Sequence, residues 1–298
     1  MAEAPLSLSV AVGAYPHTMP LKSGRIASPE LRLELADIAP INRAFAPMVR
    51  ERRFDVCEMA IATFLQAKAY GKLLALLPLT MAARFQESAL LCRVDSAIRG
   101  PADLAGRRVG VRAYSQTTGL WLRGLLADDW GVKPEDVRWI TFEGAHVLEY
   151  PDPPFVERAA PSKELLKMLR ERDLDAVIVG NDVPDDPELR TVFPDPAAAA
   201  EAFWGKHRFV PINHMVVVRR EIAVDRPDAI RELCRLFVAS KAASAPPSSA
   251  RDGAPTGREA VEPSVALALR LAGEQGLLPR PLHLAEVWEG CPPPSLRA

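Results

Sequence analysis

The turn Tyr114-Ser115-Gln116-Thr117-Thr118 is the stretch of this chain best suited to hold an anion. It follows a short β-prone run, 108–112, and precedes an amphipathic stretch with Leu122, Leu125, Leu126 and Trp130 at helical spacing. A hydroxyl-rich turn between a strand and a helix start presents unpaired N–H groups and the positive end of a helix dipole. The same pattern also describes an ordinary capped helix, because Ser and Thr oxygens accept bonds from first-turn N–H groups. Other polar residues fall near the ends of β-prone runs. They are Tyr15, His17 and Thr18 after the first run, and Glu58 late in FDVCEMA. Arg84 and Phe85 precede a further run, Arg112 leads into the turn, Asn181 and Asp182 follow DAVIVG, and Asn213 and His214 sit within FVPINHMVVVR. Open α/β sheets bind ligands beyond the carboxyl ends of their strands, so these positions form one candidate site. Each also has a plainer reading. A lone His in a β-run is commonly structural, a Glu at a helix start is stabilised by the dipole, an Arg can bridge surface carboxylates, and Tyr-Pro is a turn. His146, His207 and His283 lie in loop or helix-end contexts and receive no role.

The elements that must position these residues are legible from periodicity. Runs 6–13 and 31–38 read as strands, 40–53 as a helix, 54–60 as a strand, 62–72 as a helix and 73–80 as a strand. This β-loop-β-α-β-α-β order predicts a mainly parallel sheet. Strands are expected again at 88–94, 108–112, 137–142, 175–180 and 209–219. Helices are expected from the anion turn to 129, from a Ser162 cap to 172, and at 197–207, 225–243, 265–275 and 282–290. The segments 144–161 and 245–263, rich in Pro and small polar residues, are expected as a loose loop and a mobile loop. Long β-runs at 88–94 and 215–219 suggest two lobes joined by a double crossover. Residues 1–88 and 217–298 would form lobe 1 and residues 89–216 lobe 2.

Composition narrows the class. Among 298 residues, 48% are hydrophobic and 25% charged, the balance of a globular protein with real cores. A formal net charge of −1 without a basic block gives a nucleic-acid partner no electrostatic support. No stretch is long and apolar enough to span a membrane, and the N-terminal MAEAPLSLSVAVGAYPHT lacks a positive n-region, so a cytoplasmic location is expected. The four cysteines, Cys57, Cys92, Cys234 and Cys291, show no zinc spacing and read as reduced thiols.

Four phrases together resemble the 4,5-dihydroxyphthalate decarboxylase family: Phe54-Asp55-Val56-Cys57-Glu58-Met59, Gly106-Arg107-Arg108-Val109-Gly110-Val111, Thr117 with Trp121-Leu122-Arg123-Gly124, and Pro211-Ile212-Asn213-His214 with Val217-Val218-Arg219-Arg220-Glu221. The similarity is collinear over about the first 240 residues. The resemblance implies an α/β, two-lobed periplasmic-binding-protein-like (type II) fold with a double crossover hinge and an interlobe cleft. It also implies a cytoplasmic lyase that cleaves a ring carboxylate from a dihydroxyphthalate, giving protocatechuate and carbon dioxide without a cofactor. Departures fall at Pro16-His17, where the family resembles Asp-Arg, at Gln86-Glu87, where it tends to Arg-His, and at Arg112-Ala113, where it resembles Pro-Glu. They suggest a rearranged diacid pocket.

Such a reaction needs a proton donor to the ring carbon, and His is the natural candidate. His214 or His17 is expected to deliver it, with Glu58 orienting the His or polarising a ring hydroxyl. Arg84 and the turn Ser115, Gln116, Thr117 and Thr118 are expected to hold a carboxylate. Tyr15, Thr18, Phe85, Arg112, Tyr114, Asn181 and Asn213 are expected to complete the substrate site. A metal held by His17, Glu58 and His214 has no local spacing behind it and is left out. The expected partner is a small aromatic carboxylate, with room for a homo-oligomer. The contrasting expectation is a non-catalytic solute-binding protein for a small aromatic or carboxylate anion, since one cleft architecture serves both.

Overall fold

Alternating and fully apolar runs become two mixed sheets in a computed structural model that describes residues 4–244 and 251–292. The first half of the chain gives β1 (Leu6–Ala11), α1 (Met19–Lys22), β2 (Leu31–Leu35), α2 (Phe45–Glu51), β3 (Val56–Ala60), α3 (Ile61–Ala69), β4 (Leu74–Ala83), β5 (Leu90–Arg93), β6 (Arg108–Val111), α4 (Thr117–Trp130) and β7 (Arg138–Thr141). There follow β8 (Val156–Arg158), α5 (Leu165–Arg170), β9 (Ala176–Ile178), β10 (Leu189–Thr191), α6 (Pro196–His207), β11 (Ile212–Arg219), α7 (Arg220–Asp225), α8 (Pro227–Ala242), α9 (Arg258–Glu274) and α10 (Leu284–Val287).

The first sheet runs β2-β1-β3-β11-β4 and the second β10-β5-β9-β6-β7-β8. In the first, β1 is parallel to β2 and β3, while β11 enters antiparallel between β3 and β4. In the second, β6 lies parallel to β7 and β9, and β5 returns antiparallel to β9. Each sheet therefore accepts a strand from beyond a crossover, as the expected double-crossover architecture requires. β11 joins the first sheet along its whole length from Ile212, whereas the sequence reading returns the chain to lobe 1 at 217.

Several local expectations are corrected. The loose loop 144–161 contains β8, which extends the second sheet by pairing with β7. Ser162 does not cap α5; Glu164 holds that position without a side-chain bond. The helix expected over 40–53 is a 3₁₀ turn, Ile41–Ala44, followed by α2. In the expected mobile loop 245–263, residues 245–250 lie outside the described residues, and the remainder is ordered. Thr256 bridges Leu79, the Gly257 N–H donates to the Pro78 carbonyl at 2.8 Å, and α9 begins at Arg258. Pro263 sits inside α9, where it removes one helical bond. Burial of Val261, Val265, Ala268 and Leu271 along the same helix offsets that cost.

α9 also ties the two lobes. Its C-cap residue Gln275 accepts from Arg123 Nε of α4 at 2.7 Å and donates to the Leu120 carbonyl at 2.9 Å. Gly124 of α4 is required here, because a Cβ would fall 2.4 Å from Leu271 Cδ1. No helix among the described residues is long and apolar enough to cross a membrane.

Candidate active site

The register between β3 and β11 brings two of the expected site residues together. Glu58 faces Val216, and His214 faces Ala60. Residues two apart on a strand share a face, so Glu58 and His214 are diagonal neighbours. His214 Nδ1 lies 2.7 Å from Glu58 Oε1. The same oxygen accepts the Tyr15 hydroxyl at 2.6 Å, and Oε2 accepts the Gly13 N–H at 2.9 Å. Gly13 is the residue that fits this corner, because a Cβ there would sit 2.6 Å from the Tyr15 ring. Glu58 is wholly buried, while 15% of the His214 side chain is exposed. Burial opposes ionisation of Glu58, yet the bonds from His214, Tyr15 and Gly13, with the His214 charge, hold its carboxyl below the usual range. Burial and the Glu58 charge push the Tyr15 phenol far upward, so Tyr15 stays a proton donor to Glu58.

His214 opens onto a cleft of about 650 Å³ between the lobes. From the first lobe come Phe45, Ala60, Thr63 and Asn213; from the second come Arg112, the turn at 115–118, His146 and Asn181. Adjacent strand residues ordinarily point to opposite faces, but β11 shifts register against β4 between Ile212 and Val216, and Asn213 and His214 both reach the cleft. Asn213 is fixed by Gln86, whose Nε2 donates to its Oδ1 at 2.8 Å.

Two helix starts meet at this cleft. α4 begins at Thr117 and α3 at Ile61, and neither has a side-chain cap. The hydroxyls of the turn do not cap their own helix, contrary to its plainer reading. Thr117 Oγ1 accepts the Ala62 N–H of α3 at 3.2 Å, and Thr118 Oγ1 accepts Arg84 Nη2 at 3.1 Å. First-turn N–H groups of α4 thus remain beside Ser115 and Gln116 for an anion. The cations on the cleft wall are paired, Arg112 with Glu143 at 2.8 Å and Lys163 with Asp173 at 3.0 Å. Arg84 has no carboxylate partner within salt-bridge range among the described residues. It donates to Thr118 and to the Gly180 carbonyl, adding positive potential from behind the turn.

The remaining expected residues lie elsewhere. His17 does not line the cleft; it stacks on Tyr15 with centroids 5.3 Å apart, and its carbonyl accepts Ser240 Oγ. Thr18 closes the Gly13 turn by donating to the Gly13 carbonyl at 2.8 Å. Phe85 packs edge-on against Phe203. Tyr114 turns into the core, where its hydroxyl donates to the Gln275 carbonyl and Arg123 lies 3.9 Å over its ring. Arg84 and Glu58 sit behind the lining, bonded to Thr118 and His214.

His146, given no role from sequence, lines the cleft with its Nδ1 2.9 Å from Thr63 Oγ1. Burial, then the charges of Arg112, Arg50 and His214, hold its imidazole down to about 4. Nothing in the local sequence marks it, since the groups that bond and pack its ring, Thr63 and Phe45, come from the other lobe. Among the described residues, no group of three His, Cys, Asp or Glu side chains is arranged to hold a metal ion.

No family model matches the chain. The chain is 27% identical over 256 residues to a 4,5-dihydroxyphthalate decarboxylase of Comamonas testosteroni, covering 80% of this chain and 75% of that protein. It is 29% identical over 220 residues to a 4,5-dihydroxyphthalate decarboxylase of Pseudomonas putida, covering 67% and 81%. The resemblance drawn from the four phrases is therefore borne out over most of the chain. Among solved structures, the alkanesulfonate-binding protein SsuA from Xanthomonas axonopodis pv. citri, bound to MOPS, superimposes with a TM-score of 0.57 at 16% identity, covering 96% of this chain and 99% of that one. The Escherichia coli periplasmic aliphatic sulphonate-binding protein SsuA gives 0.52 at 17% identity, covering 97% and 84%. A Candida albicans protein with the generic periplasmic binding protein fold gives 0.54 at 10% identity, covering 96% and 94%. The chain thus has the two-lobed periplasmic-binding-protein-like α/β fold that its resemblance implied, and relatives named as decarboxylases.

Proposed function

We propose that this protein is a cytoplasmic lyase that removes a ring carboxylate from a hydroxylated aromatic acid, 4,5-dihydroxyphthalate or a close analogue, giving protocatechuate or its counterpart. The observation that carries this reading is the buried Glu58 carboxylate holding His214 Nδ1 while the ring opens onto the anion-suited cleft. The names of the two decarboxylase relatives support that substrate class.

In this mechanism one carboxylate of the substrate rests on the first-turn N–H groups of α4, with Ser115 beside it and Arg84 behind Thr118. The ring then lies toward His214. Protonated His214, its Nδ1–H donated to Glu58, transfers the Nε2 proton to the ring carbon that bears the second carboxylate. A new C–H bond forms there, and electron density from a ring hydroxyl supports the cationic ring. The C–C bond to the carboxylate breaks, carbon dioxide leaves, and the bonding pair restores aromaticity. His214 is left neutral and takes its next proton from solvent as the cleft exchanges ligand. A charged, buried Glu58 stabilises the imidazolium before transfer and keeps the ring oriented.

Incubation with 4,5-dihydroxyphthalate and a panel of hydroxybenzoates and benzenedicarboxylates, followed by carbon dioxide and product detection, tests the reading. Release of carbon dioxide from a hydroxylated member is expected. Tight binding of these acids without any turnover would make the protein a solute binder and remove the lyase assignment.

A further inference from the structure

The cleft contains a second histidine whose surroundings are the reverse of those around His214. His146 lies between β7 and β8 in the second lobe, yet first-lobe residues fix it. Its Nδ1 is 2.9 Å from Thr63 Oγ1 in the first turn of α3. Its carbonyl accepts Arg50 Nε at 2.9 Å, and the preceding carbonyl, of Ala145, accepts Arg50 Nη2 at 3.1 Å. The imidazole meets the Phe45 ring edge-to-face at 5.9 Å, and His214 meets the same ring at 5.1 Å. Phe45 therefore spaces two imidazoles that open onto one cleft. His214 has a carboxylate on Nδ1; His146 has a neutral hydroxyl on Nδ1 and two guanidinium groups nearby.

This contrast separates their chemistry. An imidazole paired with a buried carboxylate can carry a proton. One held by a threonine hydroxyl among cations stays neutral, with the imidazole held down to about 4. Too weak a base to take a phenolic proton, it still has one ring nitrogen free for a hydrogen bond. The carboxylate-binding helix start and the proton-carrying His214 leave the substrate's ring hydroxyls to be recognised by something else in the cleft.

We propose that His146, positioned by Thr63, is the residue that hydrogen-bonds a ring hydroxyl of the bound aromatic acid and so selects hydroxylated rings. This rests on the aromatic-acid reading above but not on turnover. Its test uses ligands that the proposed reaction does not consume: protocatechuate, which carries ring hydroxyls, and benzoate, which carries none. Calorimetry on the purified protein is expected to give protocatechuate the higher affinity. His146→Leu and Thr63→Val are each expected to shrink the protocatechuate-to-benzoate affinity ratio about five- to tenfold, the worth of one neutral hydrogen bond, while benzoate binding stays within about twofold. His146→Gln, whose amide reaches the place of Nε2, is expected to keep most of the ratio. An unchanged ratio in His146→Leu overturns the proposal, as does an equal loss for both ligands, which would mark a merely structural role. A wild-type protein without hydroxyl preference, or one that binds neither acid, overturns it as well. Carbon dioxide release measured in parallel judges the lyase reading separately, because the affinity ratio is readable in a protein that turns nothing over.

Discussion

Replacing Glu58 with glutamine changes one atom and tests the core of the proposed mechanism. Glu58 accepts three bonds, two on Oε1 from Tyr15 and His214 and one on Oε2 from the Gly13 N–H. A glutamine oxygen at the Oε1 position keeps the first two, but its NH₂ then faces the Gly13 N–H, donor against donor. The folded state should lose about 1–3 kcal/mol from that buried unsatisfied pair. The flipped amide is worse, because it faces two donors. Activity should suffer separately. A hydrogen bond to a charged partner is worth about 1.5–3 kcal/mol, and its loss from the imidazolium of His214 should slow the proton transfer roughly ten- to 150-fold. Glu58 does not line the cleft, so KM should change little. Steady-state carbon dioxide release, with circular dichroism to confirm folding, measures both parameters. A folded Glu58→Gln protein with kcat within about twofold of wild type would refute the role assigned to the carboxylate.

Gly13→Ala should disturb the same cluster through its packing. The added Cβ would lie 2.6 Å from the Tyr15 ring, forcing that ring off Glu58; a stability loss of about 1–3 kcal/mol and lowered kcat are expected, and a crystal structure with Tyr15 unmoved would contradict the packing argument. The pH dependence of stability should include contributions from His146 and Glu58. His146 titrates lower in the folded than in the unfolded chain, so its contribution is complete above about 6.5 and is lost as pH falls toward about 4, with a slope of at most about 1.4 kcal/mol per pH unit. Glu58 also titrates lower when folded, so its contribution is present above the ordinary glutamate range, about 4.3, and is lost at still lower pH. His17 and His207 are also held low, as are Asp175 and Asp186 among other carboxylates. Denaturant melts should therefore lose part of their pH slope between about 4 and 6.5 in His146→Gln, and part of it at lower pH in Glu58→Gln.

How much of this was legible in the sequence differs by residue, for physical reasons. The period-two and apolar runs located β1, β3 and β11, and a strand ending in Glu58 together with a β-run holding His214 was enough to nominate both. What periodicity cannot supply is register, and register alone makes Glu58 and His214 diagonal neighbours. His17 and Tyr114 were nominated on equal grounds, but one stacks on Tyr15 and the other turns into the core under Arg123. The hydroxyls of Thr117 and Thr118 looked like caps because capping is their commonest local use. Here contacts more distant in sequence, with Ala62 and Arg84, claim them. β8 escaped notice because three residues among prolines carry too little pattern, and it exists by pairing with β7. Proline content likewise suggested a loop through 263, whereas apolar positions on α9 outweigh the single bond that Pro263 removes. His146 carried no signal because Thr63, Arg50 and Phe45 all lie in another lobe.

A cleft between two lobes that offers helix N–H groups to an anion needs no chemistry to be useful. In the proposed reaction, the addition that would turn binding into catalysis is small. One carboxylate is buried at a strand position where three donors keep it charged, and one imidazole is leaned on it with a face left to the ligand. Burying Glu58 without those donors would neutralise it, and the imidazole would then lose the charge that makes its protonated form useful. Tyr15, Gly13 and the turn that Thr18 closes therefore matter to the proposed reaction although none of the three lines the cleft. Substitutions in this supporting corner should separate binding from turnover more cleanly than substitutions on the cleft wall, because they remove the charge and leave the anion site whole.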